Sequence, residues 1–441
     1  QIGQHMFKAG TVVVSLLVTT SLNCASAFCV LPSLTTTYAR ACHCPATATV
    51  TCEASKENTQ RRNLLLTSIS GVVGSQLAAS ATQGRVSSSA KVSMSGGESV
   101  RPVRVCVVGA GSISREFALY HFGPKTQTVV TSIVDLDEER ARCLAADVGS
   151  VQAGARVESK GSAYAAVAAE SRGEPVPFSR TLAPCLAGCD LVYVGTTPNS
   201  HAKLVLEALA AGKSVLMEKP LAAKAEDADA IVKAAELAQQ KGQSVGMDIG
   251  MRWNPALHEL RRLAVTERQL GRITSARLTL AFTQWPRDWQ MQPWVAGRAE
   301  GGILREVGTH FFFGLMELFG ERCVGCVRTD VSYPPPNIDG SGGGGAEVAA
   351  RGTLRLGRAA GELAGLEIAL EVGTDSKVGD VYELELTGER GTLLLKDFCR
   401  LKRTAQVEEW VVPNGSYGRV ESVVTLIDEM RGAAKRGGTQ E

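Results

Sequence analysis

In the stretch GGILREVGTH, Gly301 to His310, a carboxylate and an imidazole stand four residues apart in a mostly apolar run. If the run is helical, Glu306 and His310 share one face. A histidine titrating near neutrality can take or give a proton, and a carboxylate one turn away can orient and polarise it. A helix N-terminus with a solvated Glu and a packed His would look the same. The pair acquires meaning only from the elements that would position it.

Those elements begin with VRVCVVGAGSISREFALYHFG, a β-run, a glycine turn and a helix. Gly109-Ala110-Gly111-Ser112-Ile113-Ser114 follows G-x-G-x-x-G with Ser in the last place. Gly109 permits the tight turn. Gly111 lets backbone approach a pyrophosphate seated on the helix that Ser112 and Ile113 open. The glycine pattern alone is weak, and its place between strand and helix is what counts. The next strand run, TVVTSIVDLDEER, ends in Asp135. An acid there suits the adenosine ribose hydroxyls and repels a 2′-phosphate, which favours NAD over NADP. Alternatively, Asp135 or Asp137 caps the following helix.

Strands and helices go on alternating through CDLVYVGTTPNSHAKLVLEALAAGKSVLMEKPLA and QSVGMDIG. The expectation is an α/β chain, with a Rossmann-type doubly wound parallel sheet over residues 101–250. Ligands of such a sheet sit at the carboxyl ends of the strands, where TTPNSH and MEKP lie. From Arg252 the pattern changes to one helix and then RITSARLTLAFTQ, CVGCVRTDVSY, EVAARGTLRLG, LAGLEIALEVG and DVYELELTGERGTLLLKD. These read as strands of an α+β domain over 251–441 with a largely antiparallel open sheet, TGERGT forming a hairpin-like turn. Asp339 to Gly345, DGSGGGG, reads as a surface loop.

The chain has 441 residues and a net charge of +2, so charge gives no argument for a nucleic-acid or membrane partner. The cysteines beyond residue 100 are odd in number and scattered, unlike a disulfide framework. Cys323 and Cys326 form one C-x-x-C without two further ligands at zinc spacing, so no metal is expected. Residues 1–100 read as addresses and a flexible leader. Met6, Lys8, the apolar TVVVSLLVTT and the triplet Ala25-Ser26-Ala27 read as a secretory signal. ASAF with Phe28 resembles the junction of bipartite plastid presequences, and Cys29 to Gln60 is hydroxyl-rich and acid-poor like a transit peptide. Arg61 and Arg62 before NLLLTSISGVVGSQLAASA resemble a twin-arginine thylakoid signal. The expected destination is a plastid, stroma or thylakoid lumen, with secretion as the alternative.

VGAGSIS, TTPNSHAKLVLEALAAGKSVLMEKPLA, MRWNPA and GGILREVGTHFF occur in the order and spacing of the glucose–fructose oxidoreductase, inositol dehydrogenase and MocA (Gfo/Idh/MocA) family. Residues 102 to 430 resemble that family. The resemblance implies that Lys219, Glu306 and His310 meet over a nicotinamide ring. His310 would move the hydroxyl proton and Lys219 would stabilise charge on the substrate oxygen. It also implies that Thr197, Pro198 and Asn199 run along the cofactor's phosphates and nicotinamide ribose, with Glu218 on that ribose and Lys219 beside it. His201 would pack near this loop or take part in proton chemistry, and Arg252 would line the site or make an interface ion pair. The family usually has Asp where this chain has Glu306, one methylene longer.

Trp285 and Trp289, with Trp294, Arg287, Asp288 and Arg298, precede the acid–histidine pair. They would line a cleft for a polyol or serve as core anchors. His121 and His258 read as structural. The function expected from the resemblance is NAD(P)-dependent hydride transfer to or from a secondary alcohol or carbonyl of a sugar, cyclitol or small diol. The competing classes are a non-catalytic dinucleotide sensor and an NAD-recycling glycoside hydrolase. A homodimer or tetramer is expected on the same ground.

Overall fold

The computed structural model describes residues 101–158, 174–290, 292–320, 324–334, 344–404, 408–413 and 418–437. The leader over residues 1–100, Cys323 and most of the Asp339–Gly345 run lie outside the described residues.

Six parallel strands form the first sheet: β1 (Val103–Val108), β2 (Thr128–Val134), β3 (Phe178–Ser179), β4 (Leu191–Val194), β5 (Ser214–Met217) and β6 (Val245–Met247). Their spatial order is β3-β2-β1-β4-β5-β6, the doubly wound arrangement. Strands β4 and β5 are buried at every position, because helices cover both faces. Among the described residues, four α-helices lie between the strands: α1 (Ser112–Glu116, continuing as a π-helical turn over Phe117–His121), α2 (Glu138–Glu158), α3 (Pro198–Ala210) and α4 (Ala225–Gln240). The strand order reverses between β1 and β4, which opens a crevice at the carboxyl ends of those strands.

After β6 the chain makes α5 (Pro255–Arg261). Pro255 stands at its first position, and the Asn254 side chain accepts the Leu257 amide at 3.0 Å. The second sheet follows: β7 (Ile273–Ala281), β8 (Val324–Ser332), β9 (Ala349–Leu356), β10 (Glu367–Gly373), β11 (Val381–Gly388), β12 (Gly391–Lys396), β13 (Arg400–Arg403) and β14 (Glu408–Val411). Its order is β14-β13-β12-β11-β7-β10-β9-β8, antiparallel throughout but for the β7–β10 pair. TGERGT is the β11–β12 hairpin, closed where Gly388 faces Gly391.

Between β7 and β8 lie the short α6 (Pro293–Ala296) and α7 (Thr309–Phe319). Phe311, Leu315, Leu257 and Leu260 from α7 and α5 pack onto Leu278 and Leu384 of the sheet. Each fully buried side chain of this kind contributes about 1.5–3 kcal/mol. The other sheet face alternates outward, as the buried-every-second-residue pattern of β10 shows.

The passage from one sheet to the other falls between Met247 and Ile273. The last helix, α8 (Arg419–Gly437), returns to the first sheet, where Val423, Leu426 and Ile427 share a core with Phe117, Tyr193 and Leu216. The protein is thus an α/β chain, a parallel Rossmann-type sheet joined to a second, mostly antiparallel one.

Candidate functional site

The carboxyl ends of the first sheet and the loops of the second enclose a cavity of about 760 Å³. On the first-sheet side the glycine turn forms as its sequence requires. Gly109 has φ +94°, and a Cβ there would stand 2.7 Å from the Gly195 carbonyl oxygen. A Cβ on Gly111 would meet nothing within 4 Å, so open space lies before the first turn of α1. Ser112 and Ile113 of that turn line the cavity. This bare glycine edge at a helix start fits a pyrophosphate.

Asp135 bonds main-chain amides on both sides of it. Its Oδ2 accepts the Ala110 amide of the glycine turn at 2.6 Å, and its Oδ1 accepts the Asp137 amide at 2.8 Å. Asp137 in turn accepts the Arg140 amide at 3.1 Å, in the first turn of α2. The Arg140 guanidinium stands 3.3 Å from Asp135 and 3.0 Å from Asp137, so this corner carries a cation as well as acids. Charge here does not decide between a ribose hydroxyl and a 2′-phosphate.

In TTPNSH, Thr196 lines the cavity. Thr197 is the N-cap of α3, and Pro198 and Asn199 form its first turn, with the Asn199 amide donating to Glu300 at 2.9 Å. His201 is buried, with Nδ1 3.0 Å from the Pro220 carbonyl and Nε2 3.0 Å from that of Thr196. It ties this loop to the MEKP loop, the packing role of its two alternatives. His258 sits 2.7 Å from the Arg252 carbonyl.

The acid–histidine segment departs from a regular α-helix. Leu304–Gly308 is a π-helical turn leading into α7, a distortion common at functional sites. The two glycines before it are needed as glycine. A Cβ on Gly301 would come 2.2 Å from the Val295 carbonyl oxygen, and Gly302 has φ +110° with the Glu347 carboxylate where a Cβ would go. Glu347 then accepts the Leu304 amide at 2.7 Å.

Lys219, at the end of β5, donates to the Glu306 carboxylate at 2.7 Å and to the Glu306 main-chain oxygen at 2.8 Å. The other carboxylate oxygen accepts from Gln290 at 3.2 Å. The acid therefore serves the lysine and not the histidine: both of its carboxylate oxygens are engaged elsewhere. His310 lines the same cavity. Burial, and then the cations Lys219, Arg419 and Arg287, hold its imidazole well below the usual histidine range. At neutral pH it is an uncharged ring that can accept a proton.

Glu218 also lines the cavity, its Oε1 accepting the Tyr193 hydroxyl at 2.9 Å. Burial and the neighbouring Asp248 carboxylate push its carboxyl up to about 8. Asp248 at the end of β6 is itself buried, with one carboxylate oxygen lacking a hydrogen-bond partner, and burial raises it too. Arg419, the first residue of α8, stands 3.9 Å from Asp248 and donates to Glu116 at 2.5 Å. His121 meets that same Glu116 oxygen at 3.1 Å. Spacing within the motifs gives no hint of Arg419. Asp248 could have been suspected from its place at a strand's carboxyl end.

Of the aromatic candidates, Trp289 lines the cavity and is 70% exposed, with the Arg287 guanidinium 4.4 Å from its ring centre. Trp285 is an anchor: its Nε1 donates to the Val295 carbonyl at 3.2 Å, and its ring packs edge-on against Phe282. Arg252 lies over Trp253, 5.5 Å from the ring, and is not among the residues facing the cavity. No helix among the described residues is long and apolar enough to cross a membrane.

Fold and cavity together define an NAD(P)-binding Rossmann protein with a second sheet closing its crevice. Residues 103–247 match the GFO_IDH_MocA model, an oxidoreductase family with an NAD-binding Rossmann fold. The resemblance to the Gfo/Idh/MocA oxidoreductases thus extends over the residues of the first sheet. The chain is 31% identical over 206 residues to 1,5-anhydro-D-fructose reductase of Ensifer adhaerens, covering 46% of this chain and 53% of that protein. It is 32% identical over 174 residues to inositol 2-dehydrogenase of Acidiphilium cryptum, covering 38% and 43%. It thus spans about half the length of the curated relatives it matches. Levoglucosan dehydrogenase in complex with NADH shares the fold, with a TM-score of 0.54 at 18% identity over 76% of this chain and 90% of that one.

Proposed function

We propose that the protein is an NAD(P)-dependent dehydrogenase or reductase, moving a hydride between nicotinamide and a CH–OH or carbonyl carbon of a sugar, cyclitol or small diol. The observation that carries this reading is the Lys219–Glu306 ion pair beside an uncharged His310, in a cavity that begins at the glycine turn. The nicotinamide ring, when bound, supplies the hydride acceptor or donor. The chain's own residues handle the proton and the oxygen. Neutral His310 takes the hydroxyl proton in oxidation and returns it in reduction. Two of the three N–H bonds of Lys219 point to Glu306, which leaves one for the substrate oxygen as charge develops on it. Glu306, steadied by Gln290, fixes where that ammonium points. Sugar- and inositol-acting relatives support the substrate class, and the bare glycine edge at the start of α1 supports a dinucleotide cofactor. A plastid destination rests on the sequence of residues 1–100, and a homo-oligomer on family resemblance.

The test is the full chain with NAD and then NADP, read by nicotinamide absorbance across sugars, cyclitols and diols, with His310→Ala alongside. Turnover that falls by about 10²–10⁴ in the variant is expected. Dinucleotide binding without turnover on any substrate would turn the reading toward a sensor.

A further inference from the structure

The second-sheet side of the cavity holds a cation that the hydride-transfer chemistry does not use. Arg287 lies on the loop after β7 and lines the cavity. Its Nε donates to Gln290 at 2.9 Å and its Nη1 to the Tyr382 hydroxyl at 2.8 Å. Its guanidinium lies 4.4, 5.4 and 5.6 Å from the rings of Trp289, Trp285 and Phe282. Two hydrogen bonds and three aromatic rings thus fix the fork while leaving donors unspent of the five a guanidinium carries. Among the described residues no carboxylate forms an ion pair with it: neutral Gln290 stands between it and Glu306, and Asp288 is bonded to Gln284. A fixed, half-buried guanidinium without an anion is built to receive one.

Resting on the oxidoreductase reading above, we propose that the substrate is a polyol bearing a carboxylate, a sugar acid, and that Arg287 binds that carboxylate. The charges around His310 agree. Of the three cations that act on its ring, Lys219 is paired with Glu306 and Arg419 with Glu116 and Asp248, which leaves Arg287 as the one without a carboxylate partner among the described residues. The dinucleotide's own phosphates are the other anions at hand. Their seat is the glycine edge of β1 and α1, on the first sheet, whereas Arg287 is held to Tyr382 of β11 on the second. A uronate or aldonate places its hydroxyl carbons near Lys219 and His310 with its carboxylate on the guanidinium. A neutral sugar leaves that fork unpaired.

The experiment uses the full chain with NAD and matched pairs, D-glucose against D-glucuronate and D-galactose against D-galacturonate, with glucose 6-phosphate as a second anion. The uronates are expected to exceed their parents at least tenfold in kcat/KM. Arg287→Met should collapse that ratio tenfold or more while the affinity for ADP-ribose moves less than twofold. Arg287→Lys, which keeps charge without the planar fork, should give an intermediate ratio and guards against a folding defect. Parity or preference for the neutral sugars overturns the proposal, and so does preference for the phosphate ester. Loss of ADP-ribose affinity in Arg287→Met would assign the guanidinium to the cofactor and overturn it as well. If NAD binds and no sugar of either kind turns over, the oxidoreductase reading fails separately. Calorimetric titration of glucuronate into the NADH complex then decides the proposal: binding lost in Arg287→Met upholds it, and no binding to the unaltered protein overturns it.

Discussion

Two carboxylates, Glu306 and Glu218, face the same cavity, and they live in opposite electrostatic settings. Glu306 has an ammonium at 2.7 Å, an amide at 3.2 Å and a partly open side chain. Glu218 is buried beside a second acid, Asp248, and its nearest hydrogen bond is from a phenol. The first faces an ammonium partner at hydrogen-bond distance. The second is held protonated by burial and by like charge, up to about 8. The difference teaches that the charge of a cavity acid follows from what faces it, and that the Lys219–Glu306 side is a matched pair whereas the Glu218–Asp248 side is under-compensated.

The contrast is broken most severely at Lys219. Lys219→Met leaves the partly buried Glu306 carboxyl without its cation, which should cost about 2–4 kcal/mol of stability. It should also lower kcat by about 10²–10³, since the donor to the substrate oxygen is gone. Adding Glu306→Gln should restore most of the stability and none of the rate. Urea denaturation and initial rates on the single and double variants read both. A double variant as unstable as the single one would mean that the pair is not the unit described.

Glu218 offers the next largest effect, with a sign opposite to that of an ordinary acid. Its carboxyl sits near 8 in the fold against about 4.5 when free. The stability it contributes is therefore fully present below pH 4.5 and is lost as pH rises through 8, a slope on the order of a few kcal/mol in total. Glu218→Gln should flatten the fall in unfolding free energy between pH 6 and 9. An unchanged profile would mean that Glu218 is already ionised at pH 6. Arg419→Met sharpens the same point more gently. It removes a cation that lowers both Glu218 and Asp248, so the fall in stability should start at the same pH but continue to higher pH, with a loss of about 1–2 kcal/mol at pH 7.

How much of this the sequence carried depends on range. Gly109, Gly111 and Asp135 act through local backbone geometry, so their spacing gives the turn, the helix start and the acid that bonds Ala110. The apolar runs of β4 and β5, and the alternation of β10, likewise make the two kinds of sheet legible. The partners of Glu306 were not legible in the same way. Helical spacing set it beside His310, but the π-helical turn and the arrival of Lys219 from β5 and Gln290 from a loop gave its oxygens to others. Trp285 and Trp289 have the same residue type and near neighbours, yet one anchors a core and the other faces the cavity. Arg419 reaches Glu116 only because α8 folds back onto the first sheet, a contact across 303 residues that no local pattern encodes.

The smallest effect tests the glutamate itself. Glu306→Asp withdraws the carboxylate by one methylene, so it cannot meet Lys219 and Gln290 at once. The main-chain oxygen at this position still accepts from Lys219 at 2.8 Å, and that bond does not depend on side-chain length. The lysine should stay close to its place, with stability changed by less than about 1 kcal/mol. Its aim should loosen, and kcat should fall about three- to tenfold, short of the 10²-fold that a full 1 Å error can cost. A rise in kcat would mean that Gln290 holds the carboxylate away from its best position, and that the longer side chain is fitted to a particular substrate at some expense in rate.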